Sequence, residues 1–246
     1  ERNTHNTNPL DTDTDDGGIG DGVEVNVDAT DPLDPLDDAL DTDGDGLSDF
    51  NEQRVGGPGT DYQDADSDND GILDGAEVAG GTLPLDADSD DDGLSDGNET
   101  LVRGTNPLSN DSDGDNVRDG VEAGVTTGIA GGVTSPNGIP YVGTAAGFVG
   151  DADSATTTDP RDVDSDNDGL DDGVEDANRD GRTVNTLGAT GTPGSGESNP
   201  NLADTDGDGL QDGVEVNTES TSPVDTDTDD GGINDGVEVN TDATDP

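Results

Sequence analysis

Residues 41–52 read DTDGDGLSDFNE, with acidic side chains at Asp41, Asp43, Asp45, Asp49 and Glu52 and a glycine, Gly46, in sixth place. At an effective dielectric near 20, two like charges about 5 Å apart repel by roughly 3 kcal/mol. Nothing in the stretch supplies a cation, so either it is unfolded or the cation comes from outside. Side chains at alternate positions 1, 3 and 5 of a tight turn can converge on one point. Gly at position 6 permits the positive-φ bend that swings the chain around, and a long Glu at position 12 can reach back to close the shell. Calcium takes six to eight oxygens at about 2.3–2.6 Å, and this pattern supplies oxygens only. Magnesium insists on near-ideal octahedral geometry and keeps its waters, so it fits less well. Zinc favours His and Cys; the chain has one His, His5, and no Cys.

The pattern recurs in register: DSDNDGILDGAE at 66–77, DSDDDGLSDGNE at 88–99, DSDGDNVRDGVE at 111–122, DSDNDGLDDGVE at 164–175 and DTDGDGLQDGVE at 204–215. Two variants, DTDDGGIGDGVE at 13–24 and DTDDGGINDGVE at 227–238, bring the copies to eight. Successive closing glutamates lie 22–28 residues apart, except for two longer steps of 53 and 40. A period of this size signals a repeat array in place of one globule. Between loops runs a weaker punctuation: TNP at 7–9 and 105–107, TDP at 30–32, 158–160 and 244–246, SNP at 198–200 and TSP at 221–223. Pro sets extended or turn geometry and biases its predecessor away from helix. Each unit therefore reads as an acidic loop, a short helical turn and a Pro-marked turn into the next loop.

Composition agrees. There are 63 acidic residues against 7 basic ones, a formal net charge of −56. Phosphate binding needs a basic face, so nucleic acid is excluded as a partner. Leu, Ile, Val and Phe total 42 of 246 residues, too few for the single large core a domain of this length needs. Without Cys, disulfides cannot substitute for that core. No stretch reaches the roughly 20 apolar residues of a membrane span, and no secretory apolar segment is present. The chain opens on Glu1 with no Met, which reads as a processed product or a segment of something longer. No Cys or Lys, and a lone His5 near one end, give no basis for an enzyme.

Position 7 is apolar in every loop: Ile19, Leu47, Ile72, Leu94, Val117, Leu170, Leu210 and Ile233. An EF-hand needs a long helix on each side of its loop, and here the flanks are too short and Gly-rich. A nonapeptide calcium roll would repeat every nine residues. The pattern D-x-D-x-D-G-Ø-x-D-x-x-E, with a unit near 23 residues, resembles the thrombospondin type 3 repeat, especially the cysteine-free versions in secreted and surface proteins of bacteria. The resemblance covers the chain except two insertions. It implies an elongated, calcium-replete repeat array with little regular secondary structure, in which ions replace the hydrophobic core.

Carried over by that resemblance, the ligands are the side chains at positions 1, 3, 5, 9 and 12 of each loop. The second loop contributes Asp41, Asp43, Asp45, Asp49 and Glu52. The third contributes Asp66, Asp68, Asp70, Asp74 and Glu77, and the fourth Asp88, Asp90, Asp92, Asp96 and Glu99. In the fifth they are Asp111, Asp113, Asp115, Asp119 and Glu122, with Asn116 at position 6. The sixth offers Asp164, Asp166, Asp168, Asp172 and Glu175; the seventh offers Asp204, Asp206, Asp208, Asp212 and Glu215. The outer loops place Gly17 and Gly231 at position 5, leaving Asp13, Asp15, Asp21 and Glu24 in the first and Asp227, Asp229, Asp235 and Glu238 in the last. An extra Asp two residues upstream of five loops (Asp11, Asp64, Asp86, Asp162 and Asp225) could bridge to a neighbouring ion. A partial loop, DANRDG at 176–181, could be closed by Glu197.

These readings divide the chain into five loops over 1–122, a Gly/Thr/Val-rich insertion over 123–161, uncharged as far as residue 150, and three loops over 162–246 with a Thr/Gly-rich insertion at 182–203. The stretch 123–150 holds no charged residue and reads as strand and loop, a hairpin able to pack on its own chain or on a neighbour. Arg54 and Arg103 follow closing glutamates, where cations suit the end of a helical turn. Asn98 and Asn110 begin N-glycosylation acceptor patterns. The expected product is an extracellular or cell-surface calcium-stabilised rod, self-associating into a fibre or continuing into a longer chain. The alternative is a calcium-dependent adhesin or stalk.

Overall fold

A computed structural model describes residues 6–16, 20–28, 31–34, 40–53, 58–182, 197–242 and 246. His5, Gly17, Ile19, Arg54 and most of the second insertion lie outside the described residues. The chain forms two compact units. One takes 1–89, 95–98 and 130–143; the other takes 90–94, 99–129 and 144–246.

Regular structure is sparse, as expected. The described residues contain eight α-helices of three to seven residues: α1 (Asp21–Val23), α2 (Asp49–Gln53), α3 (Asp74–Gly80), α4 (Asp96–Asn98), α5 (Asp119–Glu122), α6 (Asp172–Glu175), α7 (Asp212–Val214) and α8 (Asp235–Val237), of which α1, α4, α7 and α8 each run on into a five-residue π-helical turn. Every one begins at loop position 9. The residue before it is extended, with ψ of 138–144° at Gly20, Leu73, Arg118, Asp171, Gln211 and Asn234. The position-9 N–H donates to the carbonyl of the residue just before the loop, as in Asp74 to Ala65 (3.1 Å) and Asp212 to Ala203 (3.2 Å). That bond closes the loop into a ring, and the helical turn starts where the ring ends.

Glycine at position 6 has positive φ throughout the described loops, from 90° at Gly232 to 104° at Gly71, and Asn116 takes the same role at 82°. Position 4 is also left-handed. It is filled by Gly44, Gly114 and Gly207, or by Asn69, Asn167, Asp16, Asp91 and Asp230, the side chains that tolerate this region best.

The buried interior is carboxylate. Buried apolar residues are few: Ala87 in the first unit; Leu94, Val117, Val121, Leu170 and Leu210 in the second. Against these stand the closing glutamates, six of them at most 2 % exposed from Glu52 to Glu215. The position-7 residue of the last loop, Ile233, is exposed, in contrast to the buried Leu94, Val117, Leu170 and Leu210; Leu47 and Ile72 are half-buried.

The uncharged stretch does contain a hairpin. β1 (Gly132–Val133) pairs antiparallel with β2 (Pro140–Tyr141), in register Gly132 to Tyr141 and Val133 to Pro140. The hairpin packs on its own unit. Val142 exchanges backbone hydrogen bonds with Leu85 and Ala87 (2.9 and 3.1 Å). At the turn, Thr134 Oγ1 and the Asn137 N–H donate to Asp61 Oδ2 (2.6 and 3.1 Å), and Asn137 Nδ2 donates to Asp61 Oδ1 (2.5 Å).

Candidate metal sites

Within a loop the carboxylates are held by backbone donors on one side. Position 1 accepts the position-6 N–H, as in Gly71 to Asp66 Oδ2 (3.1 Å) and Gly169 to Asp164 Oδ2 (3.0 Å). Position 3 accepts the position-5 N–H through Oδ1, as in Asp70 to Asp68 (3.2 Å) and Asp208 to Asp206 (3.1 Å). The other oxygen of Asp43, Asp68, Asp113, Asp166 and Asp206 is buried with no hydrogen-bond partner. Oxygens of Asp41, Asp43 and Asp45, and likewise of Asp66, Asp68 and Asp70, lie within 4.8 Å of one another.

The closing glutamate shows the same asymmetry. Its Oε1 accepts from a hydroxyl that follows the loop, in four of five cases the one that opens the punctuation: Thr60 to Glu52 (3.2 Å), then Thr105 to Glu99 (3.1 Å), Thr158 to Glu122 (2.9 Å), Ser198 to Glu175 (2.8 Å) and Thr221 to Glu215 (3.1 Å). The Oε2 of each of these glutamates, and of Glu77, is buried with no partner. Both insertions therefore begin between a glutamate and its hydroxyl. The chain leaves after Glu122 or Glu175 and returns at Thr158 or Ser198 to make the same bond.

Position 9 is a brace. Its Oδ1 accepts the position-2 N–H and its Oδ2 the position-2 hydroxyl: Ser67 to Asp74 (2.8 and 2.6 Å), Ser165 to Asp172 (2.9 and 2.6 Å), Thr205 to Asp212 (2.8 and 2.6 Å). The position-2 hydroxyl oxygen in turn accepts the N–H of the residue after the punctuating Thr or Ser, as in Asn106 to Ser112 and Asn199 to Thr205 (both 2.9 Å). From the third loop to the eighth, each is thus wired to the closing glutamate before it.

A second link joins neighbours through position 5. One oxygen accepts the position-7 N–H of its own loop, as in Leu94 to Asp92 (2.7 Å). The other accepts the position-10 glycine N–H of the next loop. In the first unit Gly75 donates to Asp45 (3.0 Å) and Gly97 to Asp70 (2.5 Å). In the second Gly120 donates to Asp92 (3.0 Å), Gly173 to Asp115 (2.6 Å), Gly213 to Asp168 (2.7 Å) and Gly236 to Asp208 (2.6 Å). A Cβ on any of these glycines would overlap the carbonyl of that Asp. This approach gathers groups from adjacent loops. Asp45, Glu52 and Asp74 form one cluster and Asp92, Glu99 and Asp119 another, all six buried, with oxygens within 4.8 Å in each.

Charge in these clusters is held at a cost. Burial, then the charges of Asp68, Asp70, Asp74 and Asp96, pushes Glu77 up to about 9. Burial, then Asp90 and Asp92, pushes Glu99 up to about 9. Glu122 and Glu175 also rise to about 9, and Glu52 and Glu215 to about 8, with burial the first cause in each. Asp68 reaches about 8 through burial and the Asp70 charge. Buried, oxygen-only and short of positive charge, the donor set fits a hard divalent cation. A side-chain ion pair joins Arg161 to Asp159 (3.4 Å), outside these clusters.

The upstream aspartates differ from one another. Asp64 Oδ2 accepts the Ser135 N–H of the hairpin turn (3.0 Å). Asp113 of the preceding loop is raised first by burial, and the charge of Asp162 adds a smaller push in the same direction. Asp86 forms a parallel bridge with Val142. Arg103 ends the π-helical turn Glu99–Arg103, as its position after Glu99 suggests.

Three working positions escape a reading that looks only for ligands: the position-2 hydroxyl, the position-10 glycine and the punctuating Thr or Ser. Each carries a signal. Position 2 is Ser or Thr in all eight loops, and position 10 is Gly in all but the second.

A sequence profile of the bacterial TSP3 repeat matches residues 41–52, 66–87, 88–110 and 204–220. No curated protein and no solved structure matches the chain. The loops at 111–122 and 164–175 lie outside the matched stretches yet make the same hydrogen bonds. No helix among the described residues is long and apolar enough to cross a membrane. At these four stretches the chain is similar to the bacterial TSP3 repeat, a calcium-binding repeat of typically extracellular proteins.

Proposed function

We propose that the chain is an extracellular, calcium-stabilised structural module that forms a rod or a self-assembling fibre. The observation that carries the reading is the buried Oε2 without a partner on Glu52, Glu77, Glu99, Glu122, Glu175 and Glu215. Interior oxygens lacking donors are costly, and calcium at each cluster removes that cost. Extracellular calcium modules work at about 10⁻⁴–10⁻³ M, far above a resting cytosol, which places such a protein outside the cell or on its surface. Self-association, or continuation into a longer chain, belongs to the same proposal.

The alternative is a calcium-dependent adhesin or a spacer within a larger surface protein. It is favoured by the uncharged hairpin, where Val133 and Val142 are 63 % and 55 % exposed.

X-ray scattering over a protein concentration series, in millimolar calcium and after chelation, tests both. An unfolded chain of this length has a radius of gyration near ~54 Å and a compact globule near ~18 Å. A calcium-dependent rod that lengthens with concentration supports the fibre, and a rod of fixed length supports the stalk or adhesin. A curve indifferent to calcium overturns the reading.

A further inference from the structure

The eight loops do not account for every buried carboxylate. Asp151, in the first insertion, is 4 % exposed. Its Oδ1 accepts the Asp153 N–H (2.7 Å), while its Oδ2 is buried with no hydrogen-bond partner. Two bonds tie its neighbourhood to the segment 176–182: the Ala152 N–H donates to the Asp180 carbonyl (2.7 Å), and Thr156 Oγ1 donates to the Gly181 carbonyl. The Asp151 carboxylate lies against Gly181 so closely that a Cβ there would overlap Oδ1.

That segment reproduces the first half of a loop. The Asp180 and Gly181 N–H groups donate to Asp176 (3.2 and 2.8 Å), as those of Asp70 and Gly71 donate to Asp66 (3.2 and 3.1 Å). The Arg182 N–H donates to Asp180 Oδ1 (3.0 Å), the bond position 7 makes in a full loop. Arg179 and Gly181 have φ of 61° and 76°, matching positions 4 and 6. The second half is missing, since Val184 and Leu187 stand where positions 9 and 12 would supply Asp and Glu. Acids from elsewhere in the sequence stand in. Glu197, 2 % exposed, accepts the Asn178 N–H through Oε1 (3.0 Å), and Asp151 approaches from the first insertion.

We propose that Asp176, Asn178 and Asp180, completed by Asp151 and Glu197, form a ninth site for a calcium-sized divalent cation, one that fastens both insertions to the array. Four carboxylates and an amide oxygen make a hard-donor set of the kind calcium prefers. The inference rests on the reading of the full loops as calcium sites. The competing account is that exposed Arg182, on the same segment, is the counter-charge of Asp151.

Native mass spectrometry of the full chain in calcium counts the ions directly. Asp151→Asn and Asp180→Asn should each hold one ion fewer than the parent, while Asp153→Asn, at an exposed neighbour, and Arg182→Gln should hold the parent number. Asn178→Asp adds a carboxylate at position 3 and should tighten the weakest ion several-fold in a calcium titration, a gain that misfolding cannot imitate. An unchanged count in Asp151→Asn and Asp180→Asn, or an unchanged titration in Asn178→Asp, overturns the ninth site and leaves the eight loops untouched. A parent chain that holds no calcium overturns the loop reading itself.

Discussion

Asp61 and Glu77 belong to the same unit and are equally buried, at 0 % and 1 % exposed, yet they are satisfied in opposite ways. Asp61 receives Thr134, both nitrogens of Asn137 and the Gln63 N–H. Burial alone would raise its pKa, but these donors outweigh it and hold the carboxyl below the usual range. Glu77 receives one long hydroxyl contact, from Thr82 (3.4 Å), and its other oxygen has no partner. Burial and four neighbouring carboxylates push it to about 9. A buried carboxylate can be stabilised by protein donors or by a cation, and within one unit Asp61 has the donors while the surroundings of Glu77 fit a cation. The uncharged hairpin is the source of the first kind; the acidic loops are built for the second.

Calcium removal should separate the two most widely. Chelation is expected to abolish the helical and turn signals of the loops in far-ultraviolet circular dichroism, because every closing glutamate loses its counter-charge at once. The pH dependence of the calcium-free chain sharpens this. The glutamates have folded pKa values of about 8–9 against an ordinary 4.5, so the folded state holds protons that the unfolded chain releases. Their contribution to stability is fully present below about 4.5 and is lost as pH rises toward 8–9. Asp61 has the reverse sign: its contribution is present above 3.8 and is lost as pH falls through its lowered folded value. Residual structure in calcium-stripped protein should therefore be greater at pH 5 than at pH 8. In excess calcium the order should invert, since the ion needs the deprotonated form. Equal residual structure at the two pH values would break the comparison.

Next in size is the position-10 glycine. Gly120→Ala drives a methyl into the Asp92 carbonyl and should cost about 3 kcal/mol or more in calcium, read as a lowered thermal midpoint. Gly22, at the same position of the first loop, has nothing within 4 Å of an added Cβ, so Gly22→Ala should be neutral or stabilising by up to ~1 kcal/mol. Equal costs at the two positions would show that the link between loops is not what the glycine serves. Asp61→Asn comes third. It leaves one of Thr134 and Asn137 facing a donor, at about 1–3 kcal/mol. Hydrogen exchange at 132–141 should speed up while the calcium affinity of the loops stays unchanged.

Much of this was legible in the sequence because metal ligation is written in residue types at fixed spacing. Positions 1, 3, 5 and 12, the apolar position 7 and the sharp bend at position 6 all follow from one loop's own geometry. The brace from Ser67 to Asp74 was less visible, because an Asp inside an acidic loop reads as a ligand, and its hydrogen bonds to position 2 leave no separate mark in the residue types. The link from Gly97 to Asp70 was hidden for another reason. It depends on how closely one repeat approaches the next, and periodicity gives only the distance along the chain. The hairpin could be read from its composition, whereas its anchor could not, since Asp61 lies 73 residues before Thr134 and in no loop pattern. The insertions disguised the period but not the wiring: closing a longer loop costs only about 0.6 kcal/mol per doubling, so Thr158 can reach Glu122 as well as Thr105 reaches Glu99.

The smallest expected effect tests what the punctuating hydroxyl does. Thr105 and Thr134 make similar bonds to buried carboxylates, Thr105 to Glu99 at 3.1 Å and Thr134 to Asp61 at 2.6 Å. In one case the other oxygen of the acid has no partner; in the other it is held by Asn137. Thr105→Val removes the group that turns Glu99 Oε2 into its cluster with Asp92 and Asp119. A hydrogen bond worth about 1 kcal/mol corresponds to roughly a fivefold loss of calcium affinity at that cluster. Thr134→Val removes a comparable bond where no ion is involved, so it should lower stability in saturating calcium and leave the calcium titration unmoved. If both valines shift the titration alike, the hydroxyls only pack the chain. A shift confined to Thr105→Val means that the punctuation between repeats is part of the metal site.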